Sequence, residues 1–96
     1  MEISRSDLVQ SVAGRDKGML FFVIDTDGVY VSLANGKERR VEKPKRKKEK
    51  HVRKLLRQES PLTAKIRSGE HILNIELRRE LAALSQAINV STKVGS

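Results

Sequence analysis

Cysteine and tryptophan are absent from this 96-residue chain, and Phe21, Phe22 and Tyr30 are its only aromatic residues. Without Cys there is no disulfide framework and no thiolate metal site, which fits a reducing compartment. With three rings in all, a single-strand reader that stacks successive bases on a row of aromatics is a poor fit. No apolar run approaches the roughly 18 residues of a membrane span. The opening Met1-Glu2-Ile3-Ser4-Arg5-Ser6-Asp7 is polar and lacks the apolar core of a secretory signal, so the expected location is cytoplasmic. His51 and His71 stand twenty residues apart with nothing to complete a ligand set, and no metal or other cofactor is expected. Asp25-Thr26-Asp27-Gly28 looks like a fragment of a calcium loop without its distal Glu; turn formation is the better account. There is no nucleophile elbow and no phosphate loop ending in Lys-Ser or Lys-Thr, so an enzyme is not expected. A domain this small is also not expected to hold a pocket for a small-molecule ligand.

Positive charge is abundant, and it is concentrated. Between Lys37 and Arg57 stand twelve Lys or Arg against three Glu, a net of +9, in a chain whose total is +8. Such a stretch is a footprint for a polyanion, with nucleic acid the first partner to consider. The bland alternative is a solvated charged surface. Its position between two elements of one small domain, rather than at a terminus, favours the interaction reading.

Ahead of the basic run lie short strand patterns. Leu8–Val12 leads into Ala13-Gly14-Arg15-Asp16-Lys17-Gly18, and Met19–Ile24 is apolar, aromatic and β-branched, as in a buried strand. Phe21 and Phe22 point to opposite faces, one to the core and the other toward partial exposure. Asp27-Gly28 reads as a type I′ hairpin turn, Val29–Ala34 as a half-buried strand of period two, and Asn35-Gly36 as a second such turn. A fourth strand is expected over Lys37–Glu42, ended by Pro44, with Arg39 and Arg40 on opposite sides of it. Lys43–Lys50 is too charged for a core and is expected to be mobile for want of apolar anchors. His51–Leu56 could return as a closing strand or a turn of helix. Strands joined by such tight turns can curl into a small barrel that hides its edges.

Ser60-Pro61 suits a helix start, with Ser as cap, and Ser68-Gly69 a stop. From Asn74, a candidate N-cap, the spacing of Leu77, Leu81, Leu84 and Ile88 predicts a helix over 74–88, with Asn89–Ser96 as a frayed tail. That leucine seam either packs on the barrel or binds a partner.

The chain to about Lys54 resembles the KOW motif: a strand, a loop with a required glycine, and a second strand, found in SH3-like barrels of ribosomal proteins and elongation factors. Val9, Ser11, Ala13–Gly18 and Val23-Ile24 carry the match, with Gly18 at the signature glycine. The continuation Glu38–Lys48 with Lys50-His51-Val52 is similar to the end of the KOW barrel in archaeal and eukaryotic large-subunit ribosomal proteins, and in small stand-alone KOW RNA-binding proteins. Where that motif's first strand often opens with Gly, this chain has Ser6-Asp7.

The resemblance implies a mainly β fold: a small SH3-like antiparallel barrel over 5–56 with a C-terminal α-helical extension over 57–96. It further implies non-catalytic binding of structured, ribosomal-type RNA. The candidate RNA-binding residues are Arg15, Lys17 and Gly18 in the loop, and Arg39, Arg40, Lys43, Lys45, Arg46, Lys47, Lys48, Lys50, His51, Arg53 and Lys54 in the basic run. Gly18 also has a purely conformational reading. Asp16 is expected to close its loop by accepting from backbone N–H groups. Tyr30 could stack on a base, though a surface ring with a solvated hydroxyl is the simpler reading. The alternative function is an adaptor that docks on the ribosome or transcription machinery through the barrel or the C-terminal helix. Non-specific binding of duplex DNA is a third.

Overall fold

The computed structural model describes the backbone of residues 2–57 and 59–94 and side chains as far as residue 86. Five strands come first: β1 (Asp7–Ser11), β2 (Leu20–Thr26), β3 (Tyr30–Ala34), β4 (Lys45–Lys48) and β5 (Val52–Arg57). Helices α1 (Pro61–Ser68) and α2 (Asn74–Val94) follow. All strand pairs are antiparallel, in the order β4-β3-β2-β1-β5.

The two edge strands are joined by a single 3₁₀ turn, Glu49–His51. In a flat sheet, strands about 4.8 Å apart would put these edges some 19 Å from each other. Three residues at about 2 Å rise cannot cover that, so the sheet curls. It does not close: no ladder joins β4 to β5, which corrects the expectation of a closed barrel. The open, curled sheet with its C-terminal helix is compatible with an SH3-like domain.

Curling gives the sheet two unlike faces. Val9, Phe21, Val23, Val31, Leu33 and Val52 form an inner cluster with Ile3. Leu8, Phe22 and Ala34 form an outer one, and there Leu62 and Ile66 of α1, Ile72, and Leu77 and Leu81 of α2 cover the sheet. Phe21 and Phe22 do point to opposite faces, but both are fully buried. Partial exposure of one was the wrong expectation, because the helices give this sheet a second core. The leucine seam of α2 is used internally in the same way; the side chain of Ile88 lies outside the described residues.

The helix starts follow their signals. Ser60 Oγ accepts from Thr63 N–H while Thr63 Oγ1 accepts from Ser60 N–H, Pro61 takes the first position, and Gly69 ends α1 in the left-handed conformation. Asn74 does not cap α2. The first turn closes on the Leu73 carbonyl, and Glu76 accepts from Leu73 N–H. Asn74 instead faces the β3–β4 loop, accepting from Val41 N–H (2.8 Å) and donating to the Glu42 carboxylate. The α2 backbone stays helical through Val94, not stopping at 88; Gly95 and Ser96 of the expected tail lie outside the described residues.

The largest difference lies in the basic run. Lys37–Glu42 is not a strand. Asn35 Oδ1 accepts from Lys37 and Arg39 N–H groups and holds 35–39 as a loop, so Arg39 and Arg40 sit on no ladder. Neither Asp27 nor Asn35 has positive φ, as a type I′ turn would need; Gly28 and Gly36 alone supply it in these turns. The fourth strand is Lys45–Lys48, which begins after Pro44 and pairs with β3 from Leu33↔Lys45 to Tyr30↔Lys48. The segment expected to be mobile is an edge strand, and its charges blunt that edge.

Candidate nucleic-acid interface

Alternation along β4 sorts its four cations. Lys45 and Lys47 lie opposite Leu33 and Val31 and therefore face inward; Arg46 and Lys48 face outward. Lys47, with 9% of its side chain exposed, donates from Nζ to Ala13 O (2.8 Å) and to Asp16 Oδ1 (2.9 Å). Lys45 Nζ lies 3.4 Å from Asp16 Oδ2, and Ser11 Oγ donates to Asp16 Oδ1 at 2.7 Å. Burial pushes the Asp16 carboxyl up. The hydrogen bonds from Ser11 and Lys47 and the charges of Lys47 and Lys45 more than offset this, and its pKa falls to about 2. Asp16 does not close its loop by accepting from backbone N–H groups, as expected: its carboxylate accepts from the Ser11 hydroxyl and is the socket for two lysines of a distant strand, which leave it no backbone donor. Lys47 is removed from the set available to a phosphate, and Lys45 is partly removed.

Lys54, on the inner side of β5, is taken up likewise. Its Nζ lies 3.4 Å from Oδ2 of Asp7, a fully buried carboxylate that also accepts from Ser4 N–H. Arg46 lies over the Tyr30 ring, 4.2 Å from its centroid, and pairs with Asp27 at 3.1 Å. The Tyr30 face that could have met a base meets a guanidinium. Asp27 is itself held below the usual carboxylate range, chiefly by the backbone N–H groups of Tyr30 and Val29. That is the turn chemistry expected of Asp27-Gly28.

Cations without an acidic partner remain on the surface. Arg15 and Lys17 stand exposed on the β1–β2 loop, and Lys48 and Lys50 stand exposed at the end of β4 and on the 3₁₀ turn. None of these four is within ion-pair distance of a carboxylate among the described residues. Arg53 is exposed, and its guanidinium donates to Gln10 Oε1, its one side-chain partner among the described residues. The β1–β2 loop is tied to the basic run at two points: Lys47 grips Ala13 and Asp16, and Val12 N–H donates to the carbonyl of His51 (2.9 Å). Gly14 and Gly18 hold φ of 85° and 92°, and Gly18 N–H closes the loop on Ser11 O, so both glycines have the conformational role.

Arg39, Arg40 and Lys43 belong to the β3–β4 loop, which is held by α2 rather than by the β1–β2 loop. The predicted site is thus divided between two anchorages.

Sequence reasoning missed an open groove of about 710 Å³ where the β2–β3 turn meets the 3₁₀ turn and the start of β5, contrary to the expectation that so small a domain has no pocket. Ile3, Val29 and Val52 supply its apolar lining, and Lys48, Lys50, Arg53 and Lys54 its cations. The sequence signal for it was Val29, an aliphatic residue beside a turn, left 60% exposed.

Among the described residues, no group of three His, Asp or Glu could hold a metal ion, and no helix is long and apolar enough to cross a membrane. Neither models of protein families nor curated proteins give a match to this chain.

Proposed function

We propose that this protein binds structured RNA of ribosomal type, as a non-catalytic, cytoplasmic KOW-like domain. The observation that carries this reading is the mechanical join between the two basic segments. Lys47 and the Val12–His51 hydrogen bond hold the Arg15–Lys17 loop against the β4–β5 segment. Among the described residues Arg15, Lys17, Lys48 and Lys50 have no acidic partner, and Arg53, bonded only to the neutral Gln10, keeps donors for a phosphate. A-form RNA presents backbone, ribose hydroxyls and shape more readily than base edges, and point cations on a rigid sheet suit that surface. The adaptor reading loses its strongest feature, since Leu77 and Leu81 are buried in the protein's own core.

The test is binding of the purified protein to a structured ribosomal RNA fragment, duplex DNA and single-stranded RNA across a salt series. Preference for the structured RNA with a steep negative salt slope is expected. Replacing Lys48, Lys50 and Arg53 by Ala should flatten that slope by about one per lost phosphate contact. Equal, weak binding to all three nucleic acids would overturn the proposal.

A further inference from the structure

Phosphate binding leaves one part of the basic surface without a use. The groove beside the 3₁₀ turn has an aliphatic floor of Ile3, Val29 and Val52 under a charged rim, and such a floor adds nothing to the grip on a phosphodiester. Its lining has a fixed position. Val52 and Ile3 belong to the inner core cluster, and the Val29 carbonyl accepts from Glu49 N–H (2.8 Å), which ties the β2–β3 turn to the 3₁₀ turn. Val29 nevertheless remains 60% exposed, and nothing within the described chain covers it. The rim is charged one way: three Lys and one Arg against the single Glu49. The volume, about 710 Å³, lies within the roughly 300–1,000 Å³ range of clefts that hold small ligands.

Resting on the RNA reading above, we infer that this groove is a subsite for one unpaired nucleotide of the bound RNA. Its base lies against Val29 and Val52, and its flanking phosphates are held by Lys48, Lys50 and Arg53. A nucleotide has the composition the groove asks for, a flat face with little need of hydrogen bonds between two anionic groups. A fully paired stem cannot offer it, because its bases stay in the stack. Bulges, loops and ends can, and these are the sites at which proteins splay RNA bases out. The groove has no ring, so the contact is with aliphatic side chains and is indifferent to which base is present.

The experiment compares two RNA hairpins with the same stem, one carrying a single bulged adenosine, by fluorescence anisotropy with the full chain at fixed salt. The bulged hairpin should bind about fivefold tighter, no more than the low end of what stacking on an aromatic ring contributes. Val29→Ser, at an exposed turn, should abolish that preference and leave the affinity for the paired hairpin unchanged. Val29→Tyr should enlarge the preference by supplying a ring. Equal binding of both hairpins by the wild type would overturn the subsite while leaving the RNA reading intact. Absence of binding to either hairpin would overturn both. Tighter binding of a Glu-rich peptide bearing a leucine, lost on Val29→Ser, would overturn the subsite in favour of an acidic protein segment.

Discussion

The two halves of the basic run have nearly the same composition and opposite fates. Arg39–Lys43 is a surface loop, shaped by the Asn35 side chain and held against α2 by Asn74 and by Arg78, whose guanidinium donates to Gly36 O at 2.7 Å. Lys45–Lys54 is sheet, turn and sheet, with Lys45, Lys47 and Lys54 turned to the inner face. Local charge density does not separate the halves. The supply of carboxylates does: Asp16 and Asp7 sit on the inner side of the sheet, where alternate lysines of the second half can reach them. A lysine-rich stretch therefore folds inward or stays outside according to acids some 30 to 47 residues away in the sequence.

The sharpest way to break this contrast is to remove one lysine from each half. Lys47→Ala removes the closest cation from the Asp16 carboxylate and one of the two ties on the β1–β2 loop; a loss of about 3 kcal/mol is expected, the lower end for breaking a buried pair. Lys43→Ala should cost less than about 0.5 kcal/mol, as for other free surface positions. Urea titration of both variants measures the difference, and equal costs would end the distinction.

The first half has its own weak point at Gly36. It holds a φ of 79°, and a Cβ there would collide with the backbone carbonyl of Asn74. Gly36→Ala should destabilise by about 2 kcal/mol, from left-handed strain and overpacking together. Thermal unfolding would show it.

Acid should act on the second half. Asp16 has a folded-state pKa below its unfolded value, so its contribution to stability is complete above about pH 4 and is lost as pH falls toward about 2. That contribution is about 1–2 kcal/mol, with some allowance for its remaining solvent contact. The cost of Asp16→Asn, followed by denaturant unfolding at several pH values, should therefore be largest above pH 4 and shrink toward pH 2. A cost that is independent of pH would show that the carboxylate charge is not what holds the lysines.

The smallest effect on stability belongs to the outward-facing cations. Lys48→Ala should change stability by less than about 0.5 kcal/mol and yet lower the salt slope of RNA binding by about one. If Lys48→Ala instead unfolds the protein, the inward–outward sorting of β4 is wrong.

Much of this fold was legible in the sequence. Short apolar runs located β1 and β2, period-two alternation located β3, and Ser60-Pro61 and Gly69 bracketed α1. The leucine spacing found α2 and the buried face it shares with the sheet. β4 was not legible, because Lys45-Arg46-Lys47-Lys48 has low strand propensity and no apolar residue. Pairing with β3 and the distant Asp16 make it a strand, and neither is a local property. Val41 misled in the opposite sense: its apolar side chain packs on the outer cluster, but its N–H goes to Asn74, not to a strand. Ser6 is a subtler case. It stands where the resembled motif often has Gly, and it does adopt a glycine-like φ of 75°, with Oγ accepting from Arg67 Nε. The candidate site was found as a region and misread residue by residue. Composition locates a cation, but only a partner across the fold says whether that cation is free.

The division of the sheet into two faces also sets an order in time. The inner cluster draws on residues no later than Val52, whereas the outer face is covered by residues that run to Leu81. A ribosome adding about 5–20 residues per second makes the sheet before the lid for its second face. Each newly made copy therefore passes through an interval in which Leu8, Phe22 and Ala34 lack their helices. Shielding that surface during synthesis falls to whatever waits at the exit of the tunnel, until the last third of the chain arrives.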